Sequence, residues 1–226
     1  MTFDVFGDFE TRGYLRNSEG LKDTTEVKRL EHRVFLKNLA SAVEYLKRLE
    51  TITYGDVLHA HKILFQDVYP WAGQDRQVTA PEIAIVRGDR NDLFVHPRFT
   101  ESAVHYALKL GQDRAYMAAH PGEVMGHLAH AHPFLDGNGR VLMVVHNELA
   151  HRAGISIDWI KTTKDAYLDA LTREIDRPGA GELDSYLKPF VGPAVPREEA
   201  AATLTVLRGL AGGTPSDMSD IDDERS

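Results

Sequence analysis

The segment His132-Pro133-Phe134-Leu135-Asp136-Gly137-Asn138-Gly139-Arg140 places a base, a hard carboxylate, a permissive turn and a cation within nine residues. His132 carries an imidazole that titrates near neutrality and can take a proton from a hydroxyl. Asp136 offers oxygens suited to holding Mg²⁺ against a polyphosphate. Gly137 and Gly139 bracket Asn138, allow backbone angles barred to other residues and let amides approach a ligand closely. A glycine-rich turn that feeds a helix is an anion site, because free N–H groups and the helix dipole point the same way. Arg140, one turn in, adds a charge-assisted fork for phosphate oxygens. Together they are the inventory for moving a phosphoryl or nucleotidyl group onto a hydroxyl.

Such a site needs one helix ending at His132 and another starting after Gly137. Pro133 disfavours helical angles for His132, so a helix over 121–131 stops there. Apolar periodicity resumes with Val141, Leu142, Val144, Val145 and Leu149, predicting a helix over 139–152. Upstream, Asp23 and Glu26 resemble a capping box opening a long amphipathic helix through Val27, Leu30, Val34, Leu39, Val43 and Leu46 to Leu49. A helix over 56–68 follows and Pro70 stops it. The short β-type runs at Ile83, Ile85 and at Leu93, Phe94, Val95 flank the turn-rich Gly88-Asp89-Arg90-Asn91, which reads as a hairpin over about 82–96. Helices are expected over 99–117, 164–175, 182–190 and 198–207. No period of 20–50 residues repeats. The expectation is a single all-α domain of about six to eight helices over 23–192 with one small β-hairpin. An irregular segment, 1–22, precedes it; a C-terminal helical stretch, 193–210, and a tail, 211–226, follow.

The chain has 226 residues and no cysteine, which excludes a disulfide scaffold, a thiolate metal site and a cysteine nucleophile. No apolar run approaches the roughly 18–20 residues that span a bilayer. The start, MTFDVFGDFE, has three acids and no basic residue, unlike a secretory or transit leader, so the expected location is the cytoplasm. A net charge of -8 argues against nucleic acid as a partner. Half of it lies in the tail, AGGTPSDMSDIDDERS, whose five acids, one Arg and lack of aromatics are a disordered composition.

The string at 132–140 matches HxFx(D/E)GNGR and resembles the signature of the Fic family of the Fic/Doc superfamily. Tyr14-Leu15-Arg16-Asn17 with Gly20-Leu21-Lys22-Asp23 is similar to the start of a Fic core, and Val68-Tyr69-Pro70-Trp71-Ala72-Gly73 with Arg76 to the loop before the family's flap. The likeness covers about residues 10–190. It implies a protein adenylyltransferase, with ATP as co-substrate and Mg²⁺ as cofactor, acting on a Ser, Thr or Tyr hydroxyl of a target protein. On that resemblance His132 is the general base, Asp136 the Mg²⁺ ligand, Gly137, Asn138 and Gly139 the anion nest and Arg140 the phosphate-binding arginine. Phe134 packs inward to fix the loop. The hairpin becomes the flap that registers a target strand, through Ile83, Ile85 and Phe94, as main-chain pairing can. Toxin-like behaviour and delivery as a secreted effector are further family associations.

Two positions depart from the family pattern. GNGRxxR is usual, and here Met143 replaces the second arginine, which normally meets the terminal phosphates. Fic relatives lacking it include phosphotransferases and a phosphocholine transferase, so another nucleoside triphosphate or CDP-choline is an alternative donor, and a non-catalytic nucleotide-binding module an alternative role. The inhibitory pattern (S/T)xxxE(G/N) is absent too: Leu15 stands four before Glu19, and Glu224 is preceded four back by Asp220. A small inhibitory partner protein would find no second arginine to pair with. His120, His127, His130, His146 and His151 raise the separate possibility of a transition-metal hydrolase, but no Glu completes an HExxH pattern around His127 and His130.

Overall fold

The computed structural model describes residues 15–83 and 92–205. Among them are ten α-helices and one two-stranded antiparallel sheet. Helix α1, Thr24–Lys47, starts where Asp23 accepts from the Glu26 amide, as the capping residues foretold. It buries Val27, Leu30, Val34, Phe35, Leu39 and Leu46, and places Glu31 on the same buried stripe. Helix α2, Tyr54–Phe65, begins one half-turn before the expected Asp56, because Thr53 and Asp56 form a reciprocal capping box in which Asp56 is the third helical residue. Helix α3 is the short Arg76–Thr79.

The helix expected over 99–117 is two helices. A 3-10 turn at Pro97–Phe99 leads into α4, Thr100–Gln112. Asp113 then goes extended and its carboxylate accepts the amides of Ala115 and Tyr116, starting α5, Arg114–Ala119. An acid that can cap competes with helix continuation, and here the cap wins. Helix α6, Pro121–Ala131, is followed by α7, Asn138–Arg152.

Helix α7 is the axis of the fold. It packs against α1, α2, α4, α5, α6 and the C-terminal α10, Arg197–Thr205, and is buried on nearly every side. That is why its apolar residues come in adjacent pairs: a helix enclosed all round has no solvent face to keep polar. Strands β1, Ile155–Ile157, and β2, Val191–Pro193, pair in the register Ile155 with Pro193 and Ile157 with Val191. They bracket α8, Lys164–Asp176, and α9, Glu182–Leu187. This sheet lies far along the chain from the expected hairpin, and three-residue strands leave too short an alternation to read. Of the hairpin itself, 84–91, with Ile85, lies outside the described residues. Ile83 is exposed, and neither 81–83 nor 92–96 is a strand. The acidic tail and residues 1–14 also lie outside the described residues.

Candidate active site

Helix α6 ends as Pro133 requires. His132 takes the left-handed conformation, φ 39° and ψ 62°, alone among the described non-glycine residues in having positive φ. Its carbonyl accepts from Arg76 Nε at 2.7 Å. Arg76 also donates through NH2 to the Val95 carbonyl at 2.8 Å, and through its backbone amide to the Pro133 carbonyl at 2.8 Å. Burial pulls this enclosed guanidinium down to about 10, still cationic at neutral pH. The chain just beyond the expected hairpin is tied to the same turn. The Val95 amide donates to the His130 carbonyl, and His130 Nδ1 lies 2.8 Å from the Leu93 carbonyl. The ring of Phe94 then stacks on that of His132, centroids 3.9 Å apart. Phe94, expected to face a target strand, thus holds the face of the imidazole.

The loop from 133 to 137 is closed by Asn138. Its side chain accepts from the Phe134 amide at 2.9 Å and donates to the Phe134 carbonyl at 2.7 Å. Phe134 is fully buried, stacked on His61 with centroids 3.8 Å apart. His61 is itself buried on α2. The Gly73 amide donates to its Nδ1, so Nε2 bears the proton and donates to the Asp136 carbonyl at 3.1 Å. Burial pushes this imidazole down to about 3, fixing it as a neutral strut rather than a base.

Gly137 begins α7 with φ 78°, and a Cβ there would lie 2.6 Å from Phe65 Cε2. Gly139 differs: a Cβ would meet nothing within 4 Å, so the space above the helix start is open. No side chain caps α7. The first turn of any helix leaves its amides without intrahelical partners. We expect Gly137→Ala to lose about 2 kcal/mol of stability from left-handed strain and crowding, and Gly139→Ala to stay within about 0.5 kcal/mol of the natural chain. Urea unfolding of both variants measures this, and equal losses would contradict the geometry.

Asp136 is one-fifth exposed, with Oδ1 accepting from the Gly137 amide at 2.6 Å. Arg140 NH2 lies 3.5 Å from the same oxygen, while Lys28 Nζ of α1 lies 3.4 Å from Oδ2. Burial works against the charged form, yet Lys28, Arg140 and the Gly137 amide together hold Asp136 well below the usual carboxylate range. Mg²⁺ is commonly bound by one or two carboxylates together with substrate phosphates. An ionised carboxylate beside open helix amides fits that donor set.

Arg140 is turned inward. Its NH2 pairs with Glu31 Oε2 at 3.2 Å, and its guanidinium lies over the Phe65 ring, 4.7 Å from the centroid. Glu31 is fully enclosed and also accepts from the Tyr69 hydroxyl. Burial, and next the charge of Asp136, raise its pKa, with Lys28 and Arg140 opposing. Met143 is buried among the core residues.

The structure therefore groups His132, Asp136, Gly137, Asn138, Gly139 and Arg140 around one helix start, and adds five residues that motif reading did not assign to the site. Arg76 had been noted only as part of the preceding loop. Tyr69 had been noted in that same loop, and Lys28, Glu31 and His61 had no assignment. Glu31 and His61 did leave a trace: each is a polar residue on an otherwise apolar stripe, Glu31 between Leu30 and Val34, His61 between Val57 and Leu64. The remaining histidines do not converge on His132. His146 is buried against the Pro121 carbonyl, and His127 pairs with Glu123. Among the described residues one His–carboxylate group, His120, Glu123 and Asp184, has ligand atoms within 4.8 Å of one another. It lies at the opposite end of α6 from His132, about 16 Å along the axis, and Asp184 is already engaged there with the Gly122 amide at 2.5 Å.

The Fic/DOC family profile matches residues 51–150. Protein adenylyltransferase VbhT of Bartonella schoenbuchensis is 34% identical over 172 residues, 69% of this chain and 32% of that protein. The y4lH protein of Sinorhizobium fredii is 27% identical over 173 residues, 70% of this chain and 82% of that protein. The chain thus spans about a third of the first of these relatives and most of the second. BepC, a VirB-translocated effector of Bartonella tribocorum whose crystal structure holds AMPPNP, shares the fold at a TM-score of 0.60 and 18% identity, over 82% of this chain and 96% of that one.

Proposed function

The chain belongs to the Fic/DOC family through residues 51–150, and on that footing we propose that it is a protein adenylyltransferase, moving AMP from ATP to a Ser, Thr or Tyr hydroxyl of a target protein. The observation that carries this reading is the uncapped start of α7 under an open space, with the Asp136 carboxylate on one side and His132 held at the end of the preceding helix. The Asn138, Gly139 and Arg140 amides receive phosphate oxygens, their dipole already aimed, so no reorganisation is needed as charge moves. His132 takes the proton of the target hydroxyl, the freed oxygen attacks the α-phosphorus, and the bond to pyrophosphate breaks. Mg²⁺ held on Asp136 would neutralise the phosphate charge during that exchange. Phe94 and Arg76 keep the imidazole oriented, and the segment between them receives the target as an added strand, through Ile83 and Ile85. Asn138 and Arg140 act chiefly by holding the loop and Asp136 in shape.

The name of VbhT and the AMPPNP bound by BepC support adenine nucleotide as donor. No described helix is long and apolar enough to cross a membrane. We take the working place of the enzyme to be a cytosol, with delivery as a secreted effector, in the manner of VirB-translocated BepC, the alternative. Incubation with each labelled nucleoside triphosphate and with CDP-choline in a lysate, followed by measurement of the mass added to the labelled protein, tests the donor. One AMP per modified site is expected. A phosphocholine adduct, or nucleotide binding with no transfer, would replace the reading.

A further inference from the structure

We propose that Lys28 of α1 is a phosphate-binding residue: its ammonium guards Asp136 Oδ2 while the site is empty of nucleotide, and turns to the donor's terminal phosphates when a divalent cation takes that oxygen. The assignment rests on the transfer reading above and adds a residue to it.

The two oxygens of Asp136 are not equivalent. Oδ1 is spent on the Gly137 amide at 2.6 Å and faces Arg140 at 3.5 Å. Oδ2 faces Lys28 Nζ at 3.4 Å, so a metal arriving at Asp136 meets the ammonium first. Two cations repel at one carboxylate oxygen unless an anion comes between them. The polyphosphate is that anion, and a charge on a flexible four-carbon stem can follow it.

The end of the polyphosphate also needs a cation. Of the two cations that pair with Asp136 among the described residues, Arg140 is only one-tenth exposed and committed to Glu31. Lys28 is about a third exposed, and Glu31 Oε2 lies 3.7 Å from its ammonium. One turn further along α7, where the family commonly has an arginine, Met143 is a buried thioether. Phosphoryl and nucleotidyl donors need positive charge at the β- and γ-phosphates as well as at the reacting phosphorus. Lys28, entering from α1 rather than from the motif, is placed to supply it.

The full chain and its Lys28→Met, Lys28→Gln and Lys28→Arg variants are compared by calorimetric titration with ATP, ADP and AMP in excess Mg²⁺, and by spin-resonance titration with Mn²⁺ alone. Loss of a charge-assisted phosphate contact predicts about tenfold weaker ATP binding in both neutral variants, AMP binding within about twofold, and recovery in Lys28→Arg. Mn²⁺ alone should bind the neutral variants several-fold more tightly than the natural chain, since the competing ammonium is gone. Neutral variants that bind ATP as the natural chain does, or that lose ATP and AMP equally, overturn the phosphate assignment. Unchanged or weaker Mn²⁺ binding overturns the competition at Oδ2. A natural chain that binds neither ATP nor ADP would instead remove the donor reading itself, which separates the two failures.

Discussion

Replacing His132 should reduce target modification by about 10²- to 10⁴-fold, the usual contribution of a positioned general base, while the chain stays folded. The structure indicates which replacement gives the cleaner result. His132 sits at φ 39°, where alanine carries a penalty of about 1–2 kcal/mol and asparagine is better tolerated. His132→Ala should therefore melt lower than His132→Asn, with both equally inactive. Either replacement removes the ring that Phe94 stacks on, an interaction worth about 0.5–1.5 kcal/mol. Rates of label transfer to the target, read beside thermal unfolding of each variant, separate lost chemistry from lost structure. Labelling by His132→Asn at the natural rate would sink the mechanism.

Arg140→Ala should cost the fold about 3–5 kcal/mol at neutral pH, because it strands Glu31 in the interior beside a second carboxylate. The effect has a pH signature. Glu31 already titrates above the ordinary range through burial and the nearness of Asp136, with Lys28 and Arg140 opposing, and the variant removes the share of Arg140. A carboxyl whose pKa is higher folded than unfolded favours the folded state below its unfolded value and ceases to do so as pH rises through the folded one. The deficit of Arg140→Ala should therefore shrink as pH falls from about 7 toward 4.5, within reach of the unfolded carboxyl value near 4.3. Asp136 has the opposite sign: its pKa is depressed, so its contribution is present above the unfolded value and fades only in stronger acid. Urea unfolding across that range measures the difference, and a deficit under about 1 kcal/mol, or one indifferent to pH, would show that Glu31 and Arg140 are not the closed pair described.

The parts of this molecule that could be read from sequence are those whose cause is local. Pro133 ended α6, Asp23 started α1, and the paired glycines marked the turn into α7. The misreadings arose where two local causes competed or where the cause was distant in sequence. Asp113 could prolong a helix or cap one, and only the packing of α5 decides. Three-residue strands carry no legible alternation, so β1 and β2 went unseen. At the site, the motif supplied His132, Asp136 and the glycine turn together with Asn138 and Arg140, which turn inward, and chain folding supplied their distant partners. Glu31 meets Arg140 across 109 positions and Lys28 meets Asp136 across 108. No spacing rule reaches that far, although a charge or an imidazole on a buried stripe is a usable warning of such a partner.

The bonds around Arg76 also bear on how this molecule could diversify. The Arg76 amide and side chain grip the turn at His132 and Pro133, and Leu93 and Val95 are bonded to His130 of the helix just before it. The turn that carries His132 is thus held from both ends of the segment between those anchorages. If the proposed transfer holds, a lineage could change its targets by rewriting one short cassette while the turn at His132 is inherited intact, and an engineer would cut at the same two places.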